Sequence, residues 1–350
     1  MTMPGAEFDA LAAGGSGGIA VAPSLPGDPG TTGVPGASAK QIIGRSPGQL
    51  AWLRLKRDRT ARFSGGLVAL FILVAITAPV VEMVYGKGPS DRFPDKISRI
   101  DTFPYGYLGG VSGSHWFGVM PGSAQDIFIH VVYGLRTSLS IAFISAVITV
   151  AVGIVMGIVA GYVGGKVDGV ISWFIDLTLA FPFFVFCLAA VPLVTARFYT
   201  PRDEVSPYFR AGLLILIFTA FNWTYTARLV RGQVFSLRER EFVEAARAAG
   251  GGVGHILFRQ LLPNLWAPIL VVFSLNVPQF ITAEAALSFL NIGMVEPTPD
   301  LGRMIFSGAK VIRADPAFAM FPGTVLFLLV LAFNLFGDSV RDALDPKSSR

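Results

Sequence analysis

Glu241 and Glu244 stand three residues apart in a charged, alanine-rich stretch, Val230 to Gly250, set between two strongly apolar segments. That spacing puts both carboxylates on one face of a helix, where they can meet basic groups on another protein. Ala245, Ala246, Ala248 and Ala249 add helix propensity without bulk, so such a helix can sink into a partner's groove. Ser236 followed by Glu239 has the capping-box pattern, which predicts a helix from there through Ala249. Gly250 would stop it, where a left-handed residue is needed. Val253 to Leu261 predicts a second short helix, and Leu262-Pro263 begins the return to the membrane, closing a loop over 230–264. The alternative is a helix lying on the inner leaflet, for which paired acids and an alanine face are poorly suited. The island therefore reads as a handle gripped from outside the membrane.

Other chemistry finds little support. His115, His130 and His255 fall on both sides of the membrane by the topology below and cannot form one metal site. The single cysteine, Cys187, lies inside an apolar block and reads as a small buried residue, so no metal site is expected. Gly161-Tyr162-Val163-Gly164-Gly165-Lys166-Val167 has the wrong spacing and closing residue for a phosphate-binding loop. Neither catalysis nor a cofactor in this chain is expected. Asp176 and Glu284 are the main ionisable groups within apolar blocks, each costing about 2.5–3.5 kcal/mol at mid-helix. They read as helix-pairing groups. A proton relay in a secondary carrier for a small solute is the rival reading, and such a carrier would normally show more acids near mid-membrane. Gly153, Gly157 and Gly161 fall four apart on one helix face, a spacing that lets two helix backbones approach closely.

These groups must be positioned by an all-helical membrane protein. Of the 350 residues, 53% are hydrophobic and only 15% charged, and the mean hydropathy is +0.60, which excludes a soluble globular chain. The net charge of +5 comes with no basic patch interleaved with aromatics, so nucleic-acid binding is not indicated. Residues 1–45, rich in Gly, Ala, Pro and Ser, predict a disordered tail. Residues 46–62 form a basic amphipathic segment suited to an anionic leaflet. Six spans are expected near 63–84, 138–163, 170–194, 211–229, 266–290 and 318–337, helical because each backbone polar group must be paired within its own segment. Lys and Arg number 17 on the side shared by both termini and 11 on the other, which places both ends in the cytoplasm. A long extracytoplasmic loop over 85–135 reads as an external docking surface. A core over 136–337 carries the remaining five spans, and 338–350 is a cytoplasmic tail. Phe181-Pro182 and Pro278 predict kinks in the third and fifth spans.

At this point the chain resembles the permease subunits of bacterial ABC importers, in the dipeptide, oligopeptide and nickel branch. The carriers of the likeness are Glu244-Ala245-Ala246, Gly250 and Leu262-Pro263, flanked by Ala227 to Gln233 and Leu237 to Val243. Gly161 to Gly165, Ala180-Phe181-Pro182, Ala285 to Leu290, and Gly337-Asp338 through Pro346 belong to the same pattern, so that it covers about 46–346. The basic stretch before the first span is similar to the second of the two paired permeases. The resemblance implies a fold like the type I importers and a place in the bacterial plasma membrane. It implies that Glu241, Glu244, Ala245, Ala246, Gly250, Leu262 and Pro263 form a coupling helix and its return, seated on an ATPase. It further implies a second homologous permease, two cytoplasmic ATPase subunits that use ATP, an extracytoplasmic substrate-binding protein, and alternating access driving uptake of short peptides. One segment departs from the branch: Val119 to Asp126 replaces its usual Thr-Asp turn and Gly-Arg-Asp, keeping only the last aspartate. The external approach to the second span is therefore expected to be remodelled. Gly251-Gly252 adds unusual freedom after the helix stop.

Overall fold

The computed structural model describes residues 47–200 and 202–345. The tail expected over 1–45 lies outside the described residues, as do the last five positions. Basic α1 (Pro47–Arg57) leads into α2 (Arg59–Ile76), whose N-terminus is capped by the Asp58 carboxylate accepting from the Thr60 N–H at 2.9 Å. The first span expected over 63–84 begins earlier than that and divides at Thr77, because Pro79 in the first turn of α3 (Ala78–Tyr85) cannot continue the ladder. Arg54 Nη1 donates to the Asp345 carbonyl at 2.9 Å and so ties α1 to the far end of the chain.

The connection expected over 85–135 ends at Asp126. Its fully buried carboxylate accepts from the Ile129 N–H and starts α4 (Ile127–Val163) nine residues before the loop was expected to close. The same carboxylate accepts from the Tyr85 hydroxyl at 2.8 Å and lies 2.7 Å from His115 Nδ1, with Lys87 at 3.8 Å. One buried acid thus joins the end of the first span, the loop that follows it and the second span. Burial shifts the Lys87 ammonium below the usual lysine range, partly offset by Asp126.

Gly164, in left-handed backbone at φ 68°, separates α4 from α5 (Gly165–Ala180). The third span is not one helix. It breaks at Phe181-Pro182 and turns through 85° into α6 (Phe183–Phe198), a sharper change than a proline kink inside a continuous helix. Pro207 opens α7 (Pro207–Leu237), where its missing N–H leaves no bond unmade. There follow α8 (Glu241–Ala248), α9 (Val253–His255), α10 (Trp266–Phe289), α11 (Leu301–Val311) and α12 (Ala317–Leu344). The final helix runs on to Leu344, so most of the tail expected over 338–350 is helical to that point. Among the described residues five helices are long and apolar enough to cross a membrane, and six spans result if the bent pair counts as one.

In this all-helical bundle α4 packs along α7 and α10, while α12 packs on α10 and α2. Their shared interior holds Ala142, Ala146, Leu214, Phe218, Phe280 and Leu287, with the Phe218 and Phe280 rings stacked at 5.4 Å. The outward faces of α2 and α12 keep large apolar side chains exposed, as lipid contact requires.

Candidate functional site

The charged island is built on the C-terminal end of α7. Val230 and Val234 are fully buried there and draw α7 onward through Leu237, which places Ser236 inside that helix. The helix start expected at Ser236–Glu239 is therefore corrected: α8 begins at Glu241, with Arg240 at its N-cap and no side-chain cap. Packing of the two valines outweighs the local cap, worth about 1 kcal/mol. At its other end α8 stops as expected from Gly250, which sits at φ 82°. The Gly250 N–H donates to the Arg247 carbonyl and the Gly251 N–H to the Ala246 carbonyl, both at 2.9 Å, the two-bond Schellman closure.

One residue seats α8. Val243 is fully buried, in a cluster with Val230, Val234, Ile256, Leu261 and Leu265. The opposite face presents Glu241, Glu244 and Ala245 to the outside, with Ala246 half-buried. After Gly250-Gly251-Gly252 the chain re-enters helical backbone at α9, widens to a π turn over Ile256–Leu261, then tightens to a 3₁₀ turn at Leu262–Asn264 around Pro263. The second short helix expected over 253–261 is thus present in irregular form.

Gly153, Gly157 and Gly161 all face α7. A Cβ at Gly157 would lie 2.7 Å from the Ala227 carbonyl oxygen and 2.7 Å from Val230 Cβ, and one at Gly161 would lie 2.8 Å from Val234 Cβ. One at Gly153 would collide with Thr226. Arg238 Nη1 donates to the Gly161 carbonyl at 3.0 Å, satisfying an end carbonyl of α4, and the Arg247 guanidinium lies 5.4 Å from the Tyr162 ring. The α4–α7 seam therefore ends directly at the root of α8.

Asp176 and Glu284 are both engaged. Asp176 Oδ1 accepts from Arg228 Nη2 at 2.6 Å. Glu284 is fully buried and accepts from Ser138 Oγ (2.7 Å) and Ser288 Oγ (3.0 Å), and Ser288 Oγ lies 2.9 Å from Asp300, the N-cap of α11. This second group locks α4, α10 and α11 together. Sequence reasoning missed the companion pair Asp168–Arg231, at 2.5 Å. A signal was available: Asp168 and Asp176 recur at helical spacing on α5, opposite Arg228 and Arg231 on α7. The Val243 anchor and Arg238 were likewise not singled out.

A family described as the binding-protein-dependent transport system inner membrane component matches residues 153–350. One described as the N-terminal transmembrane domain of oligopeptide transport permease C matches residues 46–93. The dipeptide transport system permease protein DppC of Alkalihalophilus pseudofirmus is 36% identical over 307 residues, 88% of this chain and 92% of that protein. The glutathione transport system permease protein GsiD of Salmonella typhimurium is 36% identical over 304 residues, 87% of this chain and 91% of that protein. Among solved structures, a chain of the MetNI methionine ABC transporter in an inward-facing form aligns at 17% identity and TM-score 0.49, over 62% of this chain and 96% of that one.

Proposed function

The chain belongs to the family of binding-protein-dependent transport inner-membrane components, as a permease subunit of an ABC importer in the bacterial inner membrane, and we propose that it carries short peptides. The peptide reading rests on DppC and GsiD, which the chain matches over most of its length. Family membership implies an ATPase partner and a substrate-binding protein. A second homologous permease completing the path, two ATPase subunits consuming ATP, and cytoplasmic placement of both termini belong to the proposal.

The observation that carries the coupling role is α8 itself. Its acids face outward, Val243 fixes its inner face, and the Gly250 closure ends it. An ATPase that holds this helix in one of its states can bias the permease only by its differential affinity for the two, and a rigid, anchored helix delivers that bias. Glu241 and Glu244 supply the polar grip, Ala245 and Ala246 the close approach, and Leu262-Pro263 the return. Glu244→Arg is expected to leave the protein inserted while abolishing ATP-driven uptake and recovery of a phosphate-loop ATPase in mild detergent. Normal uptake and normal recovery of that ATPase in the variant would sink the assignment.

A further inference from the structure

Arg210 stands in the first turns of α7 with 7% of its surface exposed. Its Nε is enclosed without a hydrogen-bond partner, and no ion pair of the described residues includes it. The first turn of α7 holds no acid either, so the guanidinium sits at the positive end of the helix dipole. A buried cation in that position is costly unless an anion completes it. What remains of its surface borders a cavity of about 610 Å³, walled by the end of α6, the α6–α7 connection and Asn291 beyond α10. Arg197, Thr195 and Thr200 share that wall. Asp203 borders it too, but its carboxylate accepts from the Thr200 N–H at 2.6 Å and lies beyond ion-pair distance of Arg210.

Helices α6 and α7 also wall a second cavity of about 400 Å³, where Asn222 of α7 and Gln279 of α10 meet Asn334 of α12. Arg210 and Asn222 lie twelve residues apart on α7, about 18 Å along its axis. Asn222 gives one amide hydrogen to the Phe218 carbonyl, while Gln279 and Asn334 are exposed. Carboxamides facing lipid would leave polar groups unsatisfied, so this wall suits a polar path. The succession is a cation at the outer end and neutral amide donors and acceptors below it.

We propose that Arg210 is a specificity residue at the outer mouth of the path, capturing the carboxylate of the incoming cargo before it passes to the carboxamides below. This rests on the importer reading above. A carboxylate could also come from a side chain of the binding protein or the second permease. Two features favour the cargo: a cavity of ligand size, and a second, carboxamide-bearing cavity walled by the same α6 and α7.

The test uses the complete transporter in nanodiscs or vesicles, with the binding protein pre-loaded with trialanine or with trialanine amide, so that recognition in solution is factored out. The wild type is expected to move the acid in preference to the amide. Arg210→Gln is expected to lower acid transport roughly tenfold or more relative to the amide, the scale of a lost charged hydrogen bond. Arg210→Lys, which keeps the charge but not the fork geometry, is expected to retain part of the preference. Equal loss for both peptides, with weaker recovery of the binding protein or second permease, would assign the anion to a neighbouring subunit and overturn the proposal. An unchanged acid-to-amide ratio would overturn it as well. Wild-type vesicles that hydrolyse ATP on binding-protein addition yet move neither peptide would refute the peptide reading itself, a result distinct from either.

Discussion

Asp315 lies between α11 and α12, almost fully buried, with Oδ1 accepting from the Ala317 N–H at 3.1 Å and Oδ2 without a hydrogen-bond partner among the described residues. Gly109 of the loop between α3 and α4, at φ 72°, packs against that carboxylate, so closely that a Cβ there would lie 2.8 Å from Oδ1. Burial pushes the Asp315 carboxyl above its ordinary 3.8, partly opposed by backbone N–H groups. Because the folded state holds this proton more tightly than the unfolded chain, the contribution of Asp315 to stability falls as pH rises through the interval above 3.8. Asp95 and Asp101, held low by Lys96 and Ser98, act in the opposite sense. The comparison that isolates Asp315 is therefore wild type against Asp315→Asn. The variant is expected to gain thermal stability relative to the wild type between about pH 4 and pH 7, and melting curves showing a constant offset across that range would contradict it.

At the scale of elements, the α4–α7 seam and the α5–α6 bend decide the shape. A methyl at Gly157 meets backbone and Val230, whereas a methyl at Gly169 on α5 meets nothing within 4 Å. Gly157→Ala is expected to destabilise by about 1–3 kcal/mol through overpacking. Gly169→Ala should instead stabilise by about 0.5–1 kcal/mol through helix propensity. Opposite shifts in melting temperature in detergent would bear this out, and equal shifts would not. The glycine seam was legible in the sequence because close helix approach leaves small residues four apart. The start of α4 was not, since Asp126 gains its capping role from burial against Tyr85 and His115. Ser236–Glu239 misled for a related reason: a local capping pattern says nothing of the buried valines that carry α7 past it. For Asp168–Arg231 the helical recurrence of acids on α5 and arginines on α7 offered candidates, but which of them meet depends on the rotation of the two helices, which packing sets.

The whole molecule raises the question of sidedness. Lys and Arg are more numerous on the side of the termini and α8, which the charge rule places in the cytoplasm. Cys187 is fully buried, so introduced thiols can be read against a quiet background. Ile100→Cys, at a position 97% exposed in the outer loop, is expected to react with an impermeant maleimide in intact cells. Glu239→Cys, beside α8, should react only after permeabilisation, and the reverse pattern would invert the topology.

The glycine-lined contact between α4 and α7 also has a mechanical meaning. Two helices whose backbones touch over Gly153 to Gly161, tied at that end by Arg238 on Gly161, move together at the root of α8. With 37 residues α4 alone is about 55 Å long. Tilting a rod of that length by about 10° carries its far end roughly 10 Å, so a push at the root of α8 would arrive undiminished at the loop before α4. Because Asp126 also holds Tyr85 and lies beside His115, the far end of that lever is fastened to that loop and to the first span.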